Sequence, residues 1–440
     1  MHHQKKLRSS LILLQNCNLI SMDPQLAKIE YGIDVLIKNQ KIAKIAHKIA
    51  SKGAKIIDCT NRYIVPGYIN GHTHIPMSLF RNTNEGYNLQ DWLAKAIWPI
   101  ENKMNDEDIY TFSLLSFYES LLNGVTTVHD MYFRTDVIIK ARQAAQINLM
   151  TTVTLMDADG KIAGEKRLAN FATIVRRYPQ ELFSVGLHGL YTCSLPYIKK
   201  CLAKAKQLNY QLIHLHFCEN DQEVRDIKRR FLVKNPSDVL VKYFKSFQLV
   251  LAHCVCLNTT DYLNLQKLNV SVVHNPISNA QLGCGFADIV KLIQHKINVC
   301  IGTDGQGSGV NLNVIEAVKY AVLIAKSLHK NPCVLDAYDA LKLITINAAQ
   351  ALGLSACKGS ISVGKDADLV IYQFQNLQMY PINDPIADIV YNSTSADIQS
   401  VFVNGKMVIN QQKHLTINRD KLLKKCEKLQ TILLHKSHSK

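Results

Sequence analysis

"YIVPGYINGHTH", residues 63–74, is an apolar run that finishes on two histidines one residue apart. Ile64, Val65, Tyr68 and Ile69 lead in to His72 and His74, which flank Thr73. A stretch rich in β-branched and aromatic residues reads as a strand buried on both faces. In a strand, residues i and i+2 point to the same side. His72 and His74 therefore aim two imidazoles at one point, which is half of a metal site.

Seven more apolar runs follow: "GVTTVHDM" (124–131), "INLMTTVTLMD" (147–157), "FSVGLHGL" (183–190), "QLIHLHF" (211–217), "LVLAHC" (249–254), "VSVVHNP" (270–276) and "NVCIGTDG" (298–305). Helical patterns fill gaps between them. Residues 106–122 carry acids in the first turn, with Asn105 to cap the start and Asn123-Gly124 to end it. Ser194 caps a helix that runs to Asn209 with Pro196 in its first turn, and residues 314–326 are amphipathic. Eight strand-like runs alternating with helices predict an α/β fold, a (β/α)8 TIM-like barrel. A doubly wound open sheet would call for a Gly-rich phosphate fingerprint after the first strand, and there is none.

Both ends read as β. Residues 11–64 contain "LILLQNCNLISM", "DVLIKNQKIAKIA" and "AKIIDC", and residues 365–409 contain "KDADLVIYQF" and "IQSVFVNGKMVIN". Asn404-Gly405 between two apolar runs is a strong hairpin signal. A small β-sandwich domain built from both termini is expected, from residues 1–65 and 363–418. The barrel, 66–362, is inserted between them, and a basic C-terminal helix follows at 419–440.

The 440 residues, 47% hydrophobic and 20% charged, suit a globular chain with a large core. The net charge of +16 gathers partly at the ends, in "MHHQKKLR", "RDKLLKKCEK" and "HKSHSK". No aromatic-interleaved basic motif accompanies it, so nucleic-acid binding is not expected. The twelve cysteines form no C-x-x-C, and no apolar stretch reaches membrane-span or signal length. A cytoplasmic protein is expected, with no membrane partner.

In such barrels chemistry sits at the C-terminal ends of the strands. The runs end at His72 and His74, His188, His214 and His216 with Glu219 just beyond, His253, His274 and Asp304. His216 and Asp304 can complete the site that His72 and His74 begin. Three imidazoles and a carboxylate suit one divalent ion such as Zn2+, with Fe2+ or Mn2+ as alternatives. Burying four such groups unpaired would cost several kcal/mol, which argues against four core residues that merely pack.

"PGYINGHTHIPM", "HLHFCE", "LAHCV", "VVHNPISNAQLGCG" and "IGTDG" together resemble the signature motifs of the amidohydrolase superfamily, in its deaminase and chlorohydrolase branch. "HTHIPMSLFR", "DWLAKAIWPIE", "DMYF", "LITINAAQALGL" and "GSISVGKDADLVI" are similar to the methylthioadenosine/S-adenosylhomocysteine deaminase group, and the likeness covers about residues 15–415. The resemblance implies that His72, His74, His216 and Asp304 bind one metal ion. It implies that His253 and Asp304 act on the attacking oxygen and the leaving amine, and that Glu219 protonates a substrate ring nitrogen. It also implies that His188 and Trp92 contact the substrate and Glu101 the ribose hydroxyls. His214 and His274 read as supporting or packing residues.

Three places depart from that pattern. After "GTDG" (302–305) the chain runs "QGSGVNLN", with Gln306, Gly309 and Val310 where the group has small residues and then Ser-Asn-Asn. The third strand puts Val153 where the group carries an arginine for the substrate's distal carboxylate; Arg134, Lys166 and Arg167 are the cations that could compensate. His129 stands where an apolar residue is expected.

The expected activity is hydrolytic deamination of an adenosine-type nucleoside. The alternative is deamination or dechlorination of another N-heterocycle, a guanine-like base or a triazine. A catalytically silent scaffold is disfavoured, because all four ligands and Glu219 are present. The expected partners are a small-molecule substrate and further copies of the chain, in a dimer or tetramer.

Overall fold

The run at residues 63–74 makes two strands in two sheets rather than one. In the computed structural model, which describes residues 11–438 apart from Ser51 and Asn84, β1 (Leu11–Leu19), β2 (Glu30–Lys38), β3 (Lys41–Ala46), β4 (Lys55–Asp58) and β5 (Tyr63–Pro66) belong to one sheet, whereas β6 (Tyr68–Thr73) opens another. The break falls at Gly67. A Cβ there would lie 2.2 Å from Thr126 Oγ1, so only glycine lets the chain cross between the sheets this closely. The basic "MHHQKKLR" lies outside the described residues, as do residues 439–440.

From β6 the second sheet continues through β7 (Val125–Tyr132), β8 (Asn148–Leu155), β9 (Val185–Gly189), β10 (Leu212–Phe217), β11 (Gln248–His253), β12 (Val270–His274) and β13 (Asn298–Ile301). These eight strands pair in chain order, all parallel, as β-helix-β connections require. The seam between the last and first strands is closed just past β13. Asp304 N–H donates to the His72 carbonyl at 3.1 Å, and Asn70 Nδ2 donates to Thr303 Oγ1 at 2.7 Å. The architecture is a nearly closed barrel, and its strand ends gather the histidines.

The helices start where local signals place them. Asn105 caps α1 (Asp106–Leu122) in a reciprocal capping box with Asp108. The Ser194 side chain accepts from Tyr197 N–H at the start of α2 (Leu195–Gln207). Asn220 caps α3 (Asp221–Phe231) and Asn313 caps α4 (Val314–Leu328). The basic tail is α5 (Arg419–His438). Leu422, Cys426, Leu429 and Leu433 are buried at helical spacing, and Lys425 pairs with Glu107 of α1 at 3.0 Å. The positive charge of this tail thus sits on the outer face of a docked helix.

The first sheet has nine strands and draws on both ends of the chain. β14 (Leu369–Tyr372) pairs antiparallel with β5, and β15 (Ile398–Val403), β16 (Lys406–Asn410) and β17 (Lys413–His414) follow. Asn404-Gly405 turns β15 into β16 as its sequence predicts, with φ of 47° and 69°. Leu14, Val35, Ile37, Ile64, Leu369, Ile371 and Phe402 form a core separate from that of the barrel. All twelve cysteines are free thiols. Among the described residues no helix is long and apolar enough to cross a membrane.

Candidate active site

At the C-terminal mouth of the barrel lies a cavity of about 800 Å3. His74, Trp92, Glu101, His188, His216, Glu219, His253 and Asp304 all line it. The other imidazole of the opening pair, His72, has no exposed surface and lies beside the lining residue Asp304. His74 Nε2 is 3.1 Å and His72 Nε2 3.5 Å from Asp304 Oδ1, and His216 Nε2 is 3.3 Å from His74 Nε2. Four candidate ligand atoms thus converge on one point.

The outward nitrogens of these rings are held from behind. His74 Nδ1 bonds the Met131 carbonyl at 2.5 Å, His216 Nδ1 the His188 carbonyl at 2.5 Å, and His72 Nδ1 the ring of His214 at 3.0 Å. A carbonyl accepts, so the Nδ1 of His74 and His216 carry the protons and their Nε2 lone pairs face inward. His72 Nε2 is buried and has no hydrogen-bond partner. Leaving such an atom unpaired in a buried site is unfavourable, and a cation resolves it. His72, His74 and Asp304 group within 4.8 Å, as do His72, His216 and His253. The donor set of imidazole nitrogens and a carboxylate fits a borderline divalent ion.

Asp304 is fixed on its other side. Ser278 and Ser308 hydroxyls donate to Oδ2 at 2.7 and 3.1 Å, and the Gly305 N–H donates to Oδ1 at 2.8 Å. Burial opposes its charge, but His72 and His74 beside it hold the carboxyl well below the usual range. The unusual segment after Asp304 serves this arrangement. It supplies Ser308, and a Cβ on Gly309 would fall 2.0 Å from the Thr303 carbonyl oxygen. Gln306 turns away to Ser116 at 2.8 Å, and Val310 takes φ of 67° with its carbonyl held by Arg81.

His253 and Glu219 flank this point. Asn279 Nδ2 donates to His253 Nδ1 at 2.9 Å, which leaves the ring proton on Nε2, 3.7 Å from Glu219 Oε2. Glu219 Oε1 has no partner. Burial, with Asp304 and Glu223 nearby, pushes the Glu219 carboxyl well above its ordinary range. Burial pushes His253 and His188 down to about 3. Cys218, His253, Cys254 and Asp304 all have positive φ (52°, 78°, 53° and 61°). Such strain in non-glycine residues concentrates at functional sites.

Elsewhere in the cavity lining, Tyr132 donates to Glu101 Oε1 at 2.5 Å. Trp92 is nearly buried, and its indole N–H donates to Thr83 Oγ1 at 3.2 Å. From the third barrel strand Thr154 lines the cavity, not Val153, which is buried elsewhere. Arg134 and Arg167 also line it, whereas Lys166 does not. Both arginines are already paired: Arg167 to both oxygens of Asp159 (2.7 and 2.6 Å), and Arg134 to Asp106.

His129 is a packing residue. It bonds the Gly71 carbonyl and Ser184 and stacks on His214 at 4.0 Å, away from the cavity. His214 sits behind His72, and buried His274 does not line the cavity. Sequence reasoning does not single out Tyr132, Ser278, Ser308, Asn279 or Glu223. Ser278 and Asn279 stand inside the quoted "VVHNPISNAQLGCG", but only the folded chain shows what they touch.

Comparison with known proteins places the whole chain in one family. The 5-methylthioadenosine/S-adenosylhomocysteine deaminase of Thermoanaerobacter pseudethanolicus is 35% identical over 429 residues, covering 95% of this chain and 98% of that protein. The 5'-deoxyadenosine deaminase of Methanocaldococcus jannaschii is 33% identical over 412 residues, 91% of this chain and 96% of the relative. The fold superposes on a crystal structure of an adenosine deaminase from Xanthomonas campestris with bound zinc, with a TM-score of 0.89 at 25% identity, covering 96% and 98% of the two chains. Residues 63–408, from the strand before the first histidine pair to the hairpin of the other sheet, match the amidohydrolase family, and the chain belongs to it.

Proposed function

We propose that the chain is a metal-dependent hydrolytic deaminase of adenosine-type nucleosides, releasing ammonia and the inosine analogue. The observation that carries this reading is the joint placement of two groups in one cavity. The His72–His74–His216–Asp304 cluster lies at one wall and the Tyr132-held carboxylate of Glu101 at another. A carboxylate accepting two hydrogen bonds recognises vicinal hydroxyls, which a free base or a triazine lacks.

His72, His74, His216 and Asp304 would hold the ion, with Zn2+ the best match to three imidazoles and a carboxylate. Such an ion makes water nucleophilic at neutral pH. Asp304 accepts a proton from the attacking water through Oδ1, and His253 Nε2–H holds the same oxygen. Glu219, kept protonated by burial, delivers its proton to the ring nitrogen beside the attacked carbon. The carbon becomes tetrahedral, Asp304 passes its proton to the amine, and as ammonia leaves the remaining hydroxyl proton returns to the Glu219 carboxylate, so that a carbonyl is left and both acids are reset. His188, neutral because it is buried, offers a hydrogen bond to the purine.

In this reading the 5' group would meet Phe133 and Met156, which line the cavity together with Arg134 and Arg167, both already paired to acids. Methylthioadenosine and adenosine should therefore be better substrates than S-adenosylhomocysteine. Steady-state rates on the three, followed by loss of adenine absorbance, test this. Turnover of at least one nucleoside is expected; activity on free bases or triazines alone would overturn the reading.

A further inference from the structure

Glu219 sits on a loop that the local sequence alone would not hold. β10 ends at Phe217, and Cys218 takes φ of 52°, a conformation that an L side chain adopts only when its surroundings impose it. The Cys218 carbonyl accepts from Cys256 N–H at 2.9 Å. From the other side comes Glu223, in the first turn of α3. Its Oε1 accepts the Cys218 N–H at 3.1 Å, and its Oε2 accepts the Glu219 N–H at 2.7 Å.

Glu223 holds the capping-box position of α3, three residues after the cap Asn220. A capping-box glutamate bonds the backbone of the cap residue itself. Glu223 instead reaches past Asn220 to the two residues ahead of it, so its bonds fix the loop rather than the helix. It is 3% exposed, and no ion pair joins it to a cation among the described residues. A buried carboxylate without a cation is unfavourable, and a surface acid would serve a helix start equally well.

We propose that Glu223 is the positioning residue for Glu219: its two backbone bonds aim the Glu219 side chain into the cavity. The inference rests on reading Glu219 as the proton donor. It predicts how each substitution behaves. Glu223→Gln keeps the size but sets an amide N–H2 against a backbone N–H, so one bond is lost. Glu223→Asp keeps the charge but is one methylene too short for both bonds.

The test uses the full-length, metal-loaded protein. In Glu223→Gln, hydrogen exchange of the Cys218 and Glu219 amides should quicken, with metal content and Tm close to wild type. Its kcat should fall about a hundredfold with KM little changed, the scale expected for a misplaced reacting group. Glu219→Gln/Glu223→Gln should be no slower than Glu219→Gln alone, because the second change acts only through the first. Unaltered exchange, losses that multiply in the double variant, or near wild-type turnover in Glu223→Asp would each overturn the inference. The exchange measurement needs no turnover. A wild-type chain inactive on every nucleoside therefore defeats the functional reading, while the exchange result still decides the role of Glu223.

Discussion

Tyr132 Oη lies 2.5 Å from Glu101 Oε1 and donates to it in the lining of the cavity. The partners come from different elements: Glu101 from the short helical turn Trp98–Glu101, Tyr132 from the last position of β7. Burial raises the Glu101 carboxyl, and the Tyr132 bond opposes that rise, favouring the ionised form that ribose hydroxyls need. Tyr132→Phe should lower kcat/KM for nucleosides about tenfold, the scale of one hydrogen bond to a charged group. Steady-state kinetics check it; an unchanged kcat/KM would mean that Glu101 does not meet the sugar.

Asp304→Ala should remove both metal and activity. The carboxylate supplies the negative charge beside His72 and His74 Nε2, and its loss leaves three neutral imidazoles. Metal analysis of the purified proteins should find about one ion per chain in the wild type and almost none in the variant. A wild-type enzyme whose activity survives exhaustive chelation would contradict the assignment.

Glu219→Gln should keep metal and fold and lose ~10²–10⁴-fold in kcat. The sign of the pH dependence follows from the raised Glu219 pKa. The carboxyl keeps its proton to higher pH than an ordinary glutamate, the protonated form is the working acid, and kcat falls as pH rises through that raised pKa. His188 and His253, held at about 3, do not charge over an ordinary assay range and add no limb there. A pH–rate profile should show the alkaline decline in the wild type and its loss in Glu219→Gln.

Asp159→Asn should raise kcat/KM for S-adenosylhomocysteine relative to methylthioadenosine. Asp159 accepts from both terminal nitrogens of Arg167, whose Nη1 also donates to the Met156 carbonyl at 3.0 Å, and Arg167 lines the cavity with Phe133 and Met156. Freed, the guanidinium can meet the substrate's distal carboxylate, a charge-assisted contact worth about 1.5–3 kcal/mol, or roughly ten- to a hundredfold. Rates on both nucleosides measure the ratio, and a ratio that does not move would place the tail elsewhere.

The strand ends were legible because parallel strands buried on both faces stand out as apolar runs, and ionisable residues at their ends break that pattern. His72, His74, His216, His253 and Asp304 were readable for that reason. The split of residues 63–74 was less so. Pro66-Gly67 punctuates the run, but the need for glycine comes from Thr126, which is distant in sequence. Tyr132, Ser278, Ser308 and Glu223 act through contacts that only the closed barrel creates, and their residue types are common in any chain. Val153 illustrates a limit of register: one residue decides which side chain of a strand faces the cavity, and Thr154 does.

The most direct test of the account is ammonia release by the metal-loaded protein across methylthioadenosine, adenosine, S-adenosylhomocysteine, guanine, cytosine and a triazine, run beside Glu101→Ala. The account predicts release from the adenosine-type nucleosides and its collapse in the variant. Release only from free bases or the triazine, or nucleoside turnover indifferent to Glu101, would contradict it.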